Sequence, residues 1–599
     1  DSHDPENGVR DVDPLLQQGS SELGSEIVAD LTRMGVQGVA NRVLFDAFSP
    51  SRAYAHYHGG VRLLGEAAAA AASGPIDVHP GLLTPLRGFE PFEPNSNHPL
   101  PWPGGTWGME DVIDAHFWVV MSALDRIAAN RHAWVSRQVA VARNACESDR
   151  TPQAVAFLPE AMQCDPSALH SLLELLRRGL IEVGEIDHPV RCEDVLLPPG
   201  SWIVRFDQPF GGYARTLLIP MGYPGDVPPY DTSSHCLPLL MGVDTLAIDR
   251  LPDELSMILE PDLAATPFII KPDPSDAVAL SPSRNDVRLV VNEILREGNI
   301  VHQLTAADVA RHLPAGTFVI PLERSSRLRE RLAARGIAWT EIDSGPSGHA
   351  FAIERPPRVG LYTSYRPNSA DEGWTRYVLE MHGFDVTLLY DDDIRLGALI
   401  DRVDAIVLAS MSGSDILHGN NARIAPPEHC GGIGAKGVAN LRRFVVDGGR
   451  LVLLDKACDL GTRSLKSGVG FVKQSGNLAA PGSLLRLHLR EGHPVTWGYR
   501  GSLAVMVTDS PVFDIAADDA SQVNLGWFDE QDPLLSGWLP DDHVRRGACG
   551  LAQVELGHGS ITLVGFRPQF RGHALGAYRL LFNAITQPRL MERQEHPHQ

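Results

Sequence analysis

Apolar residues Leu16, Leu23, Ile27, Leu31 and Met34 recur at the spacing of one helix face and stop at Gly35, which predicts a helix over residues 14 to 34. Residues 39 to 48 follow, with a turn at Ser49-Pro50. Gly59-Gly60-Val61-Arg62-Leu63-Leu64-Gly65-Glu66 then reads as a short apolar strand ending in one carboxylate, with alanines behind it to Ala72 and a stop at Gly74-Pro75. The Pro-, Gly- and Asn-rich stretch from 76 to 108 reads as a surface loop, and a long amphipathic helix is expected from about Met109 to Cys146.

Two later segments share one pattern: Leu172 to Gly179 as a helix before Leu197-Pro198-Pro199-Gly200-Ser201-Trp202, and Val290 to Gly298 as a helix before Leu313-Pro314-Ala315-Gly316-Thr317-Phe318. Two copies predict paired small α/β units, since a solenoid needs more repeats. From Arg358, short apolar strands at Val359–Tyr362, Val386–Leu389, Ala405–Leu408, Leu451–Leu454 and Ile561–Gly565 alternate with helices, one opened by a capping box from Ser369 to Glu372. Short buried strands between helices imply a doubly wound parallel sheet. The predicted architecture is multidomain α/β with boundaries at 1–75, 76–150, 151–355 and 356–590, then a polar tail over 591–599.

Composition narrows the function classes. At 599 residues the chain exceeds one core and should form three or four domains. A formal charge of -22 argues against nucleic acid and anionic membrane surfaces as partners. No apolar run reaches membrane-span length. Seven scattered cysteines without a C-x-x-C pair give neither a disulfide framework nor a zinc knuckle.

Glu66 is the first candidate for chemistry. A glutamate at a strand end among apolar residues can act as a general base, or it can open the alanine stretch as a helix, where a carboxylate favours the N-terminus. Around it, Gly38-Val39-Ala40-Asn41-Arg42, His58 and Leu63-Leu64-Gly65-Glu66-Ala67-Ala68 resemble the end of the catalytic domain of large bacterial zinc carboxypeptidases. Trp102-Pro103-Gly104-Gly105-Thr106-Trp107 is similar to the segment after that domain. Tyr230-Asp231 and Leu237-Pro238-Leu239-Leu240-Met241-Gly242-Val243 resemble the family's middle region. Asp371-Glu372-Gly373-Trp374-Thr375-Arg376 and Gly565-Phe566-Arg567-Pro568-Gln569-Phe570-Arg571-Gly572 resemble its C-terminal domain, which is similar to class I glutamine amidotransferase-like folds.

The resemblance implies a partial zinc carboxypeptidase domain, hydrolysis of a C-terminal peptide or related amide bond, and a periplasmic or secreted location. It implies Glu66 as general base beside a zinc-bound water. The family's zinc ligands are an H-x-x-E pair and a distant histidine upstream of that glutamate. Here the H-x-x-E before Glu66 is His3-Asp4-Pro5-Glu6, whose proline fits a metal motif poorly. His56 and His58 are either a third ligand or surface histidines. No zinc ligands are therefore assigned in this chain, and the reading places them before Asp1.

Other candidates leave alternatives open. Cys458 follows the strand Leu451–Leu454, but Asp455-Lys456-Ala457-Cys458-Asp459 lacks the glycines of the amidotransferase G-x-C-x-G turn, so it is either a nucleophile or a small buried thiol. Gly431-Gly432-Ile433-Gly434 is a flexible loop or a phosphate cradle, and Asp391-Asp392-Asp393 a solvated turn or a calcium site. His79, His98 and His116 are too far apart in sequence to define a site. The rival to hydrolysis is a non-catalytic protein that binds a ligand at the carboxyl ends of the C-terminal strands. The sequence sets no oligomeric state.

Overall fold

The computed structural model describes residues 11–43, 49–70, 74–85, 90–223, 229, 232–252, 255, 257–259, 275–322, 327–343, 345, 349–366, 370–423, 425–472, 479–516, 518–540 and 542–588. His3 to Glu6, Tyr230-Asp231, Ser369 of the expected capping box and the 591–599 tail lie outside the described residues.

Helix α1 (Pro14–Arg33) begins where Asp13 accepts a hydrogen bond from the Leu15 amide at 2.9 Å and Pro14 fixes the first turn. It buries Leu16, Leu23, Ile27 and Leu31, the face predicted from spacing, while Met34 stays half exposed. The expected Glu66 strand does not form. Residues 61–70 have no regular structure, and among the described residues no strand lies alongside them. Instead Ser20 Oγ donates to the Arg62 carbonyl at 3.1 Å, and Leu63 packs beside Leu23, Ile27 and Leu31. The alanine-helix alternative is likewise not seen over Ala67 to Ala70. A short antiparallel pair, β1 (Ile76–Val78) and β2 (Gly105–Trp107), precedes the long helical stretch. That stretch is two helices, α2 (Met109–Ala129) and α3 (Arg131–Cys146), because Asn130 leaves helical geometry at φ -109°, ψ 22°. Its apolar face is largely uncovered: only Ser122 and Val141 are buried.

The middle region contains one topology twice. The first unit has β3 (Ala154–Phe157), α4 (Pro166–Arg178), β4 (Gly184–Glu185), β5 (Trp202–Arg205), β6 (Thr245–Ile248) and β7 (Ile258–Leu259), in the sheet order β6-β3-β5-β4-β7. The second has β8 (Ala277–Leu280), α5 (Asn285–Arg296), β9 (Val301–Leu304), β10 (Phe318–Pro321), β11 (Thr340–Ile342) and β12 (Ala350–Ile353), in the order β11-β8-β10-β9-β12. Numbered within each unit, both orders are fourth, first, third, second, fifth, with every pairing antiparallel.

The repeated turns match bond for bond. Gly200 and Gly316 sit at φ +82° and +88°, where a side chain is disfavoured. Ser201 Oγ and Thr317 Oγ1 each donate to the proline carbonyl three residues back at 2.7 Å. The Gly200 and Gly316 amides each close the turn onto a carbonyl, of Ile186 and Leu304, at 2.7 Å.

The C-terminal domain is a mixed sheet in the order β14-β13-β15-β16-β21-β20-β19-β17-β18. Its strands are β13 (Arg358–Tyr362), β14 (Asp385–Leu389), β15 (Ala405–Leu408), β16 (Arg450–Leu454), β17 (Ser483–Leu489), β18 (Ser502–Val507), β19 (Gln522–Phe528), β20 (Cys549–Leu556) and β21 (Gly559–Val564). The five strands foreseen from sequence are parallel. An antiparallel extension from β20 to β18 was not foreseen. Val359, Leu361, Val407, Val452 and Leu454 join helices α6 (Asp371–Met381) and α8 (Tyr578–Thr586) in one core. Ile406, Leu408, Leu451 and Leu453 join α7 (Gly434–Val446) in a second core on the other face, so the parallel part is doubly wound. Asp165 ties the units together, accepting from the Asn285 amide at 3.0 Å and facing Arg579 at 3.5 Å.

Candidate functional site

Open parallel sheets bind ligands beyond the carboxyl ends of their strands. Here four such ends converge on one charged cluster. Directly after β16 the chain turns sharply through Asp455, a non-glycine residue at φ +50° with no solvent exposure. Aspartate tolerates this left-handed geometry better than most side chains. Asp455 Oδ2 accepts from Ser410 Oγ, just past β15, at 2.7 Å, and from Arg567 Nε, just past β21, at 2.9 Å. Arg567 Nη1 also lies 3.1 Å from Asp371 Oδ2 at the start of α6, which follows β13. Burial opposes the Arg567 charge, yet Asp455 and Asp371 outweigh it and hold the guanidinium firmly protonated. Burial raises the Asp371 carboxyl above its ordinary range despite the pull of Arg567.

The same cluster joins two sequence segments nearly 200 residues apart. Gln569 Nε2, fully buried, donates to Thr375 Oγ1 at 3.0 Å. Gly572, at φ +69°, presents so little bulk that a Cβ there would stand 3.2 Å from the Trp374 ring. Sequence reasoning singled out both segments but assigned no role to Asp371, Ser410, Asp455 or Arg567. The one signal in the sequence was Asp455, a charged residue immediately after the apolar strand that ends at Leu454.

Beside the turn opens a cavity of about 340 Å³ lined by Ser412, Lys456, Asp459, Arg463, Phe471 and Asp509, with Val472, Pro511 and Val512 as its apolar wall. Lys456 Nζ meets Asp509 Oδ2 at 2.8 Å, and Arg463 Nε meets Asp459 Oδ1 at 2.5 Å. Burial alone would raise the Asp509 carboxyl, but the bond from Lys456 prevails and lowers it. The Arg463 guanidinium stands 5.8 Å from the Phe471 ring centre. Two cations and two carboxylates thus border one small opening.

Cys458 contributes nothing to that opening. It has no solvent exposure, its thiol donates to the Leu453 carbonyl at 3.2 Å, and burial pushes its pKa well above the ordinary thiol value. A turn that exposes a nucleophile needs the reactive residue at the strained position; here that position belongs to Asp455. The glycine loop is structural as well. A Cβ on Gly432 would stand 2.5 Å from the Ile416 carbonyl oxygen, so its glycines admit close packing. The three aspartates are each engaged: Asp391 with Tyr362 Oη at 2.6 Å, Asp392 with Arg395, and Asp393 with the Tyr390 amide at 2.9 Å and Arg402 at 2.8 Å.

Glu66 is exposed and borders a larger cavity of about 730 Å³ between α1, α2 and the 35–43 and 63–69 segments. His98 and His116 line the same space, so the structure brings together residues whose sequence separation had seemed too great. His98 is buried, and burial lowers its pKa. His56 and His58 lie elsewhere: His56 Nδ1 faces the Gly60 carbonyl at 3.2 Å, and His58 Nε2 faces the Gly179 carbonyl at 3.0 Å. His79 caps a short turn through the Gly81 amide at 3.1 Å. Among the described residues, no group of three or more His, Cys, Asp or Glu side chains is arranged to hold an ion. These residues therefore do not fit the zinc implied by the family resemblance.

No family model matches the chain, and no curated protein does. Solved structures similar to it include a GMP synthase component from Thermoplasma acidophilum, at 10% identity and TM-score 0.26, over 40% of this chain and 98% of that one. A ThuA-like protein from Bacteroides uniformis is 12% identical at TM-score 0.27, over 41% and 98%. PurLQS from Thermotoga maritima is 13% identical at TM-score 0.26, over 39% and 100%. The multidomain α/β assignment rests on the sheet orders above. Among the described residues, no helix is long and apolar enough to cross a membrane.

Proposed function

We propose that the amidotransferase-like C-terminal domain binds a small zwitterionic ligand without turning it over. One observation carries this reading: the cavity bordered by Lys456, Arg463, Asp459 and Asp509 opens beside a turn whose strained residue is a buried, ion-paired aspartate. Such a site can exchange its Lys456–Asp509 and Arg463–Asp459 pairs for the carboxylate and ammonium of one ligand, while Cys458, the thiol beside the same turn, stays buried away from it. L-glutamine and glycylglycine serve as probes in thermal-shift and calorimetric titrations. Binding that is lost in Lys456→Ala/Arg463→Ala, with no ammonia released from glutamine, is the expected result. Ammonia release, or no binding of either probe, refutes it.

A second reading is zinc-dependent, metallocarboxypeptidase-like hydrolysis of a C-terminal peptide or amide bond. It is supported by the position of Glu66, an exposed carboxylate on the rim of the 730 Å³ cavity. On this reading Glu66 takes a proton from the attacking water and gives it to the leaving amine, and zinc is held by residues other than those described. Glu66→Gln then abolishes peptide hydrolysis by the zinc-loaded protein while leaving its zinc content unchanged. Turnover retained in that variant, or absent from the zinc-loaded parent, sinks the reading.

A further inference from the structure

The first middle unit gathers three arginines at one end of its sheet. Strand β3 runs antiparallel to both β5 and β6, and its first residue, Ala154, stands opposite Arg205 and Ile248. The start of β3 and the ends of its two neighbours therefore lie together, and they carry Arg150, Arg205 and Arg250. Gln153 ties the three segments to one another. Its amide donates to the Ile248 carbonyl at 2.8 Å, its carbonyl accepts from the Phe206 amide at 2.9 Å, and its Oε1 accepts from the Leu251 amide at 2.8 Å.

The three arginines border a cavity of about 320 Å³ together with Ser148, Gln153 and Asp207, and Phe206, Leu251 and Pro252 give it an apolar lining. Arg205 commits Nε, at 2.9 Å, and Nη2 to Asp207. Arg150 Nη1 meets Asp11 at 2.7 Å; that carboxylate is shared with the buried Arg215 and does not line the opening. Arg250 is exposed and makes no hydrogen bond or ion pair among the described residues, and the same holds for Ser148 Oγ and Gln153 Nε2. Three cations against one carboxylate leave the lining at +2, in a chain whose formal charge is -22.

The fold does not require this charge. In the second unit the same backbone bonds recur at Asp276, whose amide donates to the Ile342 carbonyl at 3.0 Å and whose carbonyl accepts from the Leu322 amide at 2.9 Å. There Pro321 stands opposite Ala277, as Arg205 stands opposite Ala154. In sequence the positions matching Arg150 and Arg250 are Asp273 and Ser344. One sheet end is thus built twice, and only the first copy carries the arginines.

We propose that this arginine-bordered end of the first unit binds a phosphate group, borne by a small ester or free in solution. Guanidinium groups stay charged and donate in planar pairs that match phosphate oxygens. A phosphate monoester carries about two negative charges at neutral pH, which the excess of the lining balances. The volume falls within the range of about 300–1,000 Å³ for small-molecule sites, and Phe206, Leu251 and Pro252 would take an ester's organic part. This site is separate from the Lys456 and Arg463 cavity and does not depend on either reading given above.

Calorimetric titration of the full chain at low salt, with phenyl phosphate, inorganic phosphate and glutarate as probes, tests this. Phenyl phosphate should bind at one site, and more tightly than the dicarboxylate. Arg250→Ala, which removes no hydrogen bond or ion pair within the chain, should weaken binding about tenfold, and Arg250→Ala/Arg205→Gln should weaken it further. Inorganic phosphate separates the two sources: weaker binding than phenyl phosphate supports an ester at this site, and equal binding supports the free ion. Binding of neither phosphate probe overturns the proposal. So does glutarate binding as tightly as phenyl phosphate, or an affinity unchanged in both arginine variants. Binding lost in Lys456→Ala/Arg463→Ala but kept in Arg250→Ala/Arg205→Gln moves the phosphate to the C-terminal cavity and overturns it equally.

Discussion

Replacing Asp455 by alanine tests whether the charged cluster holds the strand ends together. The substitution removes the hydrogen bond from Ser410 and the pair with Arg567, whose side chain is only 19% exposed. Stranding one partner of a buried pair costs about 3–5 kcal/mol. Arg567 keeps Asp371 as a second partner, so the lower end, about 3 kcal/mol, applies. Alanine at φ +50° adds about 1 kcal/mol that aspartate largely avoids. The sum, about 4 kcal/mol, corresponds to a fall of about 10 °C in the melting of a domain this size. Asparagine tolerates the same backbone and still accepts from Ser410 or Arg567, so Asp455→Asn should lose only about 1–2 kcal/mol. Scanning calorimetry, with hydrogen exchange of the β16 amides assigning the transition, reads both variants. Melting of Asp455→Ala within about 2 °C of the parent refutes the reasoning.

Three further outcomes follow from the same geometry. Gly316→Ala should destabilise more than Gly200→Ala. Both pay the left-handed cost of about 1 kcal/mol, but a Cβ at 316 stands 2.7 Å from Trp497 Cβ whereas one at 200 finds Pro159 at 3.7 Å; equal melting shifts count against this. Iodoacetamide on the native chain should label the exposed Cys146 and Cys164 and spare Cys458, as mass spectrometry of the peptides will read; rapid labelling of Cys458 reopens it as a nucleophile. Glu341 is pulled down to about 2: burial alone would raise it, but Arg329, Ser275 and Trp339 hydrogen-bond the charged form and prevail. Because its folded pKa lies below the unfolded value of 4.5, its contribution is complete above that pH and is lost as pH falls toward about 2. Glu341→Gln should flatten about 2–3 kcal/mol of that acid dependence in urea titrations; an unchanged slope rejects the assignment.

How far the sequence could be read depended on how each segment is buried. β13, β15 and β16 are covered on both faces, so their positions are continuous apolar runs that announce strands. The duplicated turns were legible because a left-handed glycine followed by a hydroxyl has few substitutes. β17 and β19 were missed where irregular pairing at Leu484/Leu485 and Asn524/Gly526 disrupts the alternation that marks a half-buried strand. Residues 61–66 misled for a related reason: apolar residues that pack onto a helix look like a strand when no pairing partner can be seen. The candidate site was not legible because Asp371, Ser410, Asp455 and Arg567 become neighbours only through the order of the parallel strands.

That order also sets what the turn after β16 would offer on the proposed binding reading. A nucleophile elbow stores strain in order to present a reactive atom to solvent. Here the strained geometry is present at Asp455, but Oδ2 is held by Ser410 and Arg567 and the residue is wholly buried. What the pairing does fix is the position of its neighbours. Lys456 follows Asp455 directly, Asp459 comes four residues after it, and Ser412 lies two residues beyond Ser410, so three of the cavity's lining residues hang from the two anchored turns. Holding those turns in place sets the spacing of the cavity's charges before any ligand arrives, which lowers the ordering cost of binding. Loosening the anchor by Asp455→Asn should therefore weaken retention of a zwitterion at the cavity even though Asp455 does not line it.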